Sequence, residues 1–467
     1  MGFKQSILSA LKWTASTAIL SALLNVVKIL VLIRLLEEKD FGMAALSGVF
    51  INLGLMLQEA GLSAAVVQKQ DQTEEQLSSI FWLNTLAGVF LFLLIFPLGW
   101  ALAWFYAEPA LLGLSFAFGL SFLFNGPGAH YKALLQRNMQ FKWLGLSDFW
   151  GKVAALVCSL ILAWKGWGAY AILLGLTAHY ATSSLFCLWK GRALFHLQGH
   201  FSWRNLQGHL EFAGKHLAER LGTHLVYQLD VLIIGKCLGT DALGVYDVFK
   251  RLLLRFSNII TQAVEKVAYP VLSRFQNRLK VVRQVYFDML GALCVFQLPL
   301  FFLLVVWAYP VVKFVFGESY LQYVDIFRWV CLLVAALFIS NPADTLLLSL
   351  NRIEKWLYAN LLFALPLTVG IVAGCRDGLE GAVLAQVVLQ WGFALLTLGL
   401  LIKPLLQANF YDFWRSLLKP LLLATGAVLP TIFIPTAAWT LADLVGGSFI
   451  FAAWFLLLLW LFFGKIS

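Results

Sequence analysis

The chain has 467 residues, 61% of them hydrophobic and only 12% charged, whereas soluble domains carry about 25% charged residues. That much apolar surface exceeds one soluble core, since cores stop growing near roughly 250–300 residues, so the composition excludes a soluble enzyme and makes lipid the solvent for much of the molecule. A net charge of +10 would suit a nucleic-acid binder if it lay on one basic face, but Lys and Arg fall in short gaps between apolar runs, so a membrane-loop bias is expected and no nucleic acid.

A hydrocarbon core of about 30 Å takes about 20 apolar residues per helix. Residues 1–12 set Phe3, Ile7, Leu8 and Leu11 against Lys4 and Lys12, the pattern of an amphipathic surface helix. The apolar run that follows is too long for a cleaved signal segment and reads as a retained first span. Spans are predicted at 13–36, 41–66, 79–104, 109–135, 144–164, 167–189, 211–236, 241–271, 285–309, 322–350, 356–375, 379–403, 417–440 and 443–464. The expected class is therefore an all-α polytopic membrane protein with about fourteen transmembrane helices. Its expected divisions are a surface helix (1–12), an N-terminal six-helix bundle (13–189), a connection (190–210), a C-terminal six-helix bundle (211–403) and two extra helices (417–464).

With the N-terminus inside, the inner segments, span ends included, hold 21 of the 34 Lys and Arg, the outer segments 7, and the span interiors the remaining six: Lys28, Lys152, Arg220, Lys250, Arg251 and Arg255. The positive-inside rule then predicts that both termini are cytoplasmic. The outer loops are all short. Leu36–Gly42 aligns with Leu238–Gly244 at an offset of 202, which also brings the first span onto the seventh. An even number of spans per repeat gives two parallel halves related by an axis along the membrane normal, with a substrate path expected between them.

Ionisable groups inside spans cost at least ~2.5–3.5 kcal/mol each on insertion scales and are functional candidates. Asp148 with Lys152, and Asp247 with Arg251, are spaced to pair along one helix face. Glu59 and Glu265 fall where a side chain can reach the membrane edge, and Asp230 is a candidate for helix glue or, with Glu59, for coupling a proton or sodium ion. Lys28, Arg220, Lys250 and Arg255 have no acidic residue at i±4. Together with Arg251, which shares a face with Arg255, they are the predicted cationic site, suited to an anion such as a pyrophosphate.

The six cysteines lack CxxC spacing, and His196 with His200 has no completing ligand, so neither a metal nor a disulfide is expected. His130, His179, His216 and His224 suit polar packing or proton coupling. No GxxxxGK[ST], GxSxG or HExxH motif is present, so no cofactor and no enzymatic chemistry is expected.

Several segments carry a family likeness: Arg34-Leu35-Leu36 with Asp40-Phe41-Gly42; Gly61 through Gln68; Phe81-Trp82-Leu83-Asn84 with Gly88; and Ala133 through Lys142. In the second half they are Leu229-Asp230 through Lys236, Leu238-Gly239, Leu243 through Tyr246, and Tyr269 through Arg274. In these the chain resembles the polysaccharide-transporter branch of the multidrug/oligosaccharidyl-lipid/polysaccharide exporter superfamily, and within it the Wzx-type lipopolysaccharide and colanic-acid exporters. It departs at Glu38, where that branch usually has Pro, and in the charged run Asp247–Arg251. The resemblance implies a MATE-like fold of two six-helix bundles plus two helices in the bacterial inner membrane. It implies flipping of an undecaprenyl-pyrophosphate-linked oligosaccharide to the periplasmic leaflet, with membrane lipids and a polysaccharide polymerase or export machinery as partners. A lipid II flippase, a multidrug extruder and a polymerase or ligase stay open as alternatives. An extruder of cations would want an acidic cavity, and a polymerase a large outer loop.

Overall fold

The computed structural model describes residues 3–59, 66, 72–195, 197–199, 201–202, 221–222, 224–432 and 439–463. The fold is all-helical. Its main helices, in order, are α1 (Phe3–Leu35), α2 (Glu38–Glu59), α3 (Glu74–Tyr106), α4 (Ala110–Arg137), α5 (Phe141–Trp164), α6 (Ala169–Gly191) and α7 (Leu229–Arg274). They continue with α8 (Leu279–Val306), α9 (Val324–Ser340), α10 (Pro342–Ser349), α11 (Ile353–Gly374), α12 (Gly378–Leu396), α13 (Phe410–Ile432) and α14 (Leu441–Phe463). Among the described residues nine segments are long and apolar enough to cross a membrane. One of these, Ile353–Leu406, has 54 residues, about twice a single crossing; it folds back at Gly374–Gly378 into the pair α11 and α12. This is a multi-pass membrane protein. Among the described residues, helices stand at the positions of all fourteen predicted spans, the second, seventh, thirteenth and fourteenth being described only in part.

α7 contains a break at Gly239, whose φ of 85° and ψ of 178° belong to a region open essentially to glycine alone. The seventh and eighth predicted spans meet at that kink. α1, by contrast, runs unbroken from Phe3 through the predicted junction at residues 12–13.

The chain divides into two compact units, Met1–Gly244 and Val245–Ser467. In the first, α5 turns Ser147, Gly151, Ala155, Ser159 and Ala163 inward at every fourth position. Such a stripe of small residues lets membrane helices approach closely, where no hydrophobic drive exists to pack them. A Cβ on Gly145 would meet Thr17 of α1, and one on Gly151 would meet His179 of α6.

Turns at alternate ends of the helices are stapled to one another in this unit. Asp40 accepts a hydrogen bond from the Ala169 amide at 2.9 Å, and Lys39 pairs with Glu108 at 2.9 Å. Thr240 donates to Glu108, Tyr106 to the Leu232 carbonyl, and Lys236 to the Phe105 carbonyl. At the other end, Trp82 donates to Gln198 O, and the amides of Gln198 and Ser202 donate to Ser78 and Ser79. The turns predicted to lie outside are thus gathered together, and so are two of those predicted inside. Gly42 and Gly244, the matched glycines of the repeat, touch reciprocally: a Cβ on Gly42 would strike the Thr240 carbonyl, and one on Gly244 the Glu38 carbonyl.

In the second unit α8 packs on α13 and α9, and α12 packs on α9 and α11. Phe249 of α7 seats edge-on against Phe316 and Phe327 at centroid distances of 4.8 and 5.2 Å.

Candidate functional site

Beyond Gly244, α7 has three faces. The first is buried: Tyr246, Phe249, Leu253, Ser257 and Thr261. It is pinned by polar bonds to three helices. Tyr246 donates to Gln386 of α12 at 2.8 Å; Ser257 donates to Gln297 of α8 at 2.5 Å, which in turn donates to Thr261 at 3.0 Å. Thr345 of α10 donates to Glu265 at 2.9 Å. The second face is apolar and exposed, with Phe256, Ile259 and Val267, and suits lipid. The third is a polar stripe at helical spacing: Asp247, Arg251, Arg255, Asn258 and Gln262. A lipid-facing stripe of this kind is costly, so its place is a wetted surface.

On that stripe Arg251 donates to Asp247 at 2.6 Å and is itself half exposed. Lys250, off the stripe and one turn along from Tyr246 on the anchored face, lies 5.5 Å from the Tyr246 ring centroid and has a further interaction partner. Arg255 is half-buried and, among the described residues, makes no hydrogen bond or ion pair. Lys250, Arg251 and Arg255 against Asp247 leave the segment with surplus positive charge.

The first unit holds a second polar cluster, where α1, α5 and α6 meet. Asp148 accepts from Lys152 at 2.6 Å and from Ser21 at 2.9 Å, and His179 Nε2 stands 3.9 Å from its other oxygen. His179 Nδ1 is buried without a hydrogen-bond partner among the described residues. Lys28 and Lys132 lie within electrostatic reach of the same imidazole. The pairing of Asp148 with Lys152 was legible at i, i+4; the arrival of His179 was not, because nothing in one sequence says that α5 and α6 pack at that register.

The predicted site residues are therefore distributed over the two units. Lys28 belongs to the first, on α1, and has an interaction partner. Lys250, Arg251 and Arg255 stand together on α7 in the second. Arg220 lies outside the described residues, and so does the Glu59 side chain. Asp230 is buried and accepts from the Val231 amide at 2.8 Å, a bond that fixes the start of α7. Asp288 and Asp344, also ionisable within apolar segments, escaped the sequence survey although their positions were readable.

Two fold comparisons agree with this architecture. The lipid II flippase MurJ, in an inward closed conformation, superposes with a TM-score of 0.76 over 97% of this chain and 99% of that one, at 15% identity. An inward-facing multidrug-resistance MATE transporter of the MOP superfamily superposes at 0.61, over 83% of this chain and 95% of that one, at 13% identity. In sequence, the lipopolysaccharide biosynthesis protein WzxC of Escherichia coli (strain K12) is 23% identical over 438 residues, 94% of this chain and 88% of WzxC. The teichuronic acid biosynthesis protein TuaB of Bacillus subtilis (strain 168) is 23% identical over 432 residues, 90% of this chain and 87% of TuaB. Residues 31–325 match the profile of the family described as polysaccharide biosynthesis protein, and with more than half its length so matched the chain belongs to that family.

Proposed function

We propose that the protein is a flippase that carries a polyprenyl-pyrophosphate-linked oligosaccharide repeat unit across the inner membrane by alternating access, for surface polysaccharide synthesis. The observation that carries this is the polar stripe of α7. A helix flanked by a lipid-compatible face and anchored by Tyr246, Ser257 and Thr261 nevertheless presents Arg251 and Arg255 on its remaining side, with Lys250 one turn along from Tyr246. Cations held in a membrane in this way have a natural counterpart in an anionic headgroup that must pass through it. The family membership and the relatives named for lipopolysaccharide and teichuronic acid biosynthesis support a saccharide cargo; the flippase fold supports a lipid-linked one.

In this reading Lys28, Lys250, Arg251 and Arg255 engage the pyrophosphate, with Arg220 a further candidate. Asp230 and Glu59 are the proposed coupling groups, and both chain termini are cytoplasmic. The test is the leaflet distribution of lipid-linked repeat units in cells depleted of the protein. Units should accumulate on the cytoplasmic face, with wild-type protein restoring export and Lys250→Ala/Arg255→Ala failing to do so despite normal insertion. Units that reach the periplasm but stay unjoined would instead identify a polymerase.

A further inference from the structure

A cleft of about 800 Å³ opens in the second unit between α8, α13 and α14. We propose that it binds the headgroup and upper acyl chain of an anionic phospholipid of the surrounding bilayer. The volume falls in the roughly 300–1,000 Å³ range of small-molecule sites. Its lining from α8 recurs at i, i+3, i+4 and i+7, beginning with Lys280, Arg283, Gln284 and Phe287, so one helix face supplies the whole wall.

Along that wall the chemistry changes. The first two turns bring cations, while three to four turns further in stand Gly291, Val295 and Phe296, faced by Pro420 of α13 and Leu459 of α14. A charged end followed by an apolar stretch matches a phospholipid, charged at one end only; a free phosphate would have no use for the apolar stretch. A Cβ on Gly291 would make only an ordinary contact, 3.7 Å from the Ser416 carbonyl, so what glycine does there is leave the wall without a side chain.

Charge selects the headgroup. Arg283 is already engaged, donating to Gln407 O at 3.1 Å and standing 3.9 Å from Asp412. Lys280 and Lys419 are exposed and, among the described residues, have no ion pair; Asp288 is the remaining carboxylate in the lining. Basic pockets between membrane helices take acidic headgroups in this manner. Bilayer phospholipid also meets the cleft at far higher concentration than any pathway intermediate, and occupancy follows concentration.

The test is titration of the delipidated full-length protein with phosphatidylglycerol, phosphatidylcholine, inorganic phosphate and undecaprenyl pyrophosphate, read by native mass spectrometry. Phosphatidylglycerol should occupy one site at least ~10-fold more tightly than phosphatidylcholine, with inorganic phosphate unable to displace it. Lys280→Ala/Lys419→Ala should weaken it roughly thirtyfold, at about fivefold per cation, and Lys280→Arg/Lys419→Arg should retain it. Equal affinity for the two phospholipids, or an unchanged double-alanine variant, would overturn the proposal. Displacement by undecaprenyl pyrophosphate at lower concentration than phosphatidylglycerol itself would also overturn it, giving the cleft to the cargo. If the double-alanine variant fails to fold, Asp288→Asn decides: removing the carboxylate should tighten phosphatidylglycerol binding, and no change refutes the headgroup site.

Discussion

Arg255 and Arg251 stand one turn apart, yet their environments differ. Arg251 spends a hydrogen bond on Asp247, whereas Arg255 is unengaged among the described residues. A guanidinium with free donors is the better clamp for a phosphate, because its planar fork meets two oxygens at once. Arg255→Ala is therefore expected to lower flipping by about 10- to 100-fold, the loss of one charge-assisted hydrogen-bonding group of about 1.5–3 kcal/mol. Arg255→Lys should fall between alanine and wild type, and Arg251→Ala should cost less than Arg255→Ala. Rates of lipid-linked unit transfer in reconstituted vesicles order the three. At Asp148 the expectation concerns stability. Its carboxylate serves Lys152 and Ser21 with His179 close by, so Asp148→Asn leaves the mostly buried Lys152 ammonium uncompensated. A loss of about 1–3 kcal/mol is expected, below the about 3–5 kcal/mol of a fully buried pair because Asp148 is itself 44% exposed. Combining it with Lys152→Met should recover most of the thermal unfolding midpoint in detergent, as a coupled pair requires.

Between helices, the matched glycines of the repeat make the sharpest claim. Gly42 and Gly244 pack so closely that any Cβ meets a backbone carbonyl of the other helix, and a backbone atom cannot swing aside as a long side chain can. Gly42→Ala and Gly244→Ala should each destabilise by about 1–3 kcal/mol, the usual cost of overpacking, seen as a lowered unfolding midpoint. Gly48, whose added Cβ would meet nothing within 4 Å, should tolerate alanine. These two glycines were visible in the sequence as an aligned pair at an offset of 202, but only as a pattern. What the pattern was for, a reciprocal backbone crossing, needed coordinates. The same holds for the family motif Asp40-Phe41-Gly42, whose Asp40 caps the start of α6 across more than a hundred residues. Local features were legible: span positions follow from apolar run length, and the pairs at Asp148 and Asp247 follow from i, i+4 spacing. Register between helices was not, because small residues such as Ser147, Gly151 and Ala155 permit many close approaches and the choice among them is made by packing. The polar stripe of α7 lay midway, since its periodicity was present in the sequence while its anchoring through Gln297, Gln386 and Thr345 was not.

At the scale of the whole molecule, orientation rests on charge, and a native cysteine offers a direct check. Counting Lys and Arg puts the turn at residues 236–240 outside and the connection at 190–210 inside. The structure gathers the turns near Phe105, Glu108, Asp40 and Ala169 with that first group, and ties the second to the start of α3. One label therefore reports on several turns at once. Cys237 is exposed, while Cys187, Cys294 and Cys331 are buried, so a variant in which the other five cysteines are replaced by serine or alanine carries a single accessible thiol. A membrane-impermeant maleimide added to right-side-out vesicles should label it. Adding Ser202→Cys to a chain with no other cysteine should give the opposite result, labelling only after the vesicles are opened. If the two thiols exchange behaviour, the protein sits the other way up. The cationic groups that the charge count assigns to the cytoplasm, Lys280 and Arg283 among them, would then face the periplasm, and a flipping direction built on that orientation would reverse with them.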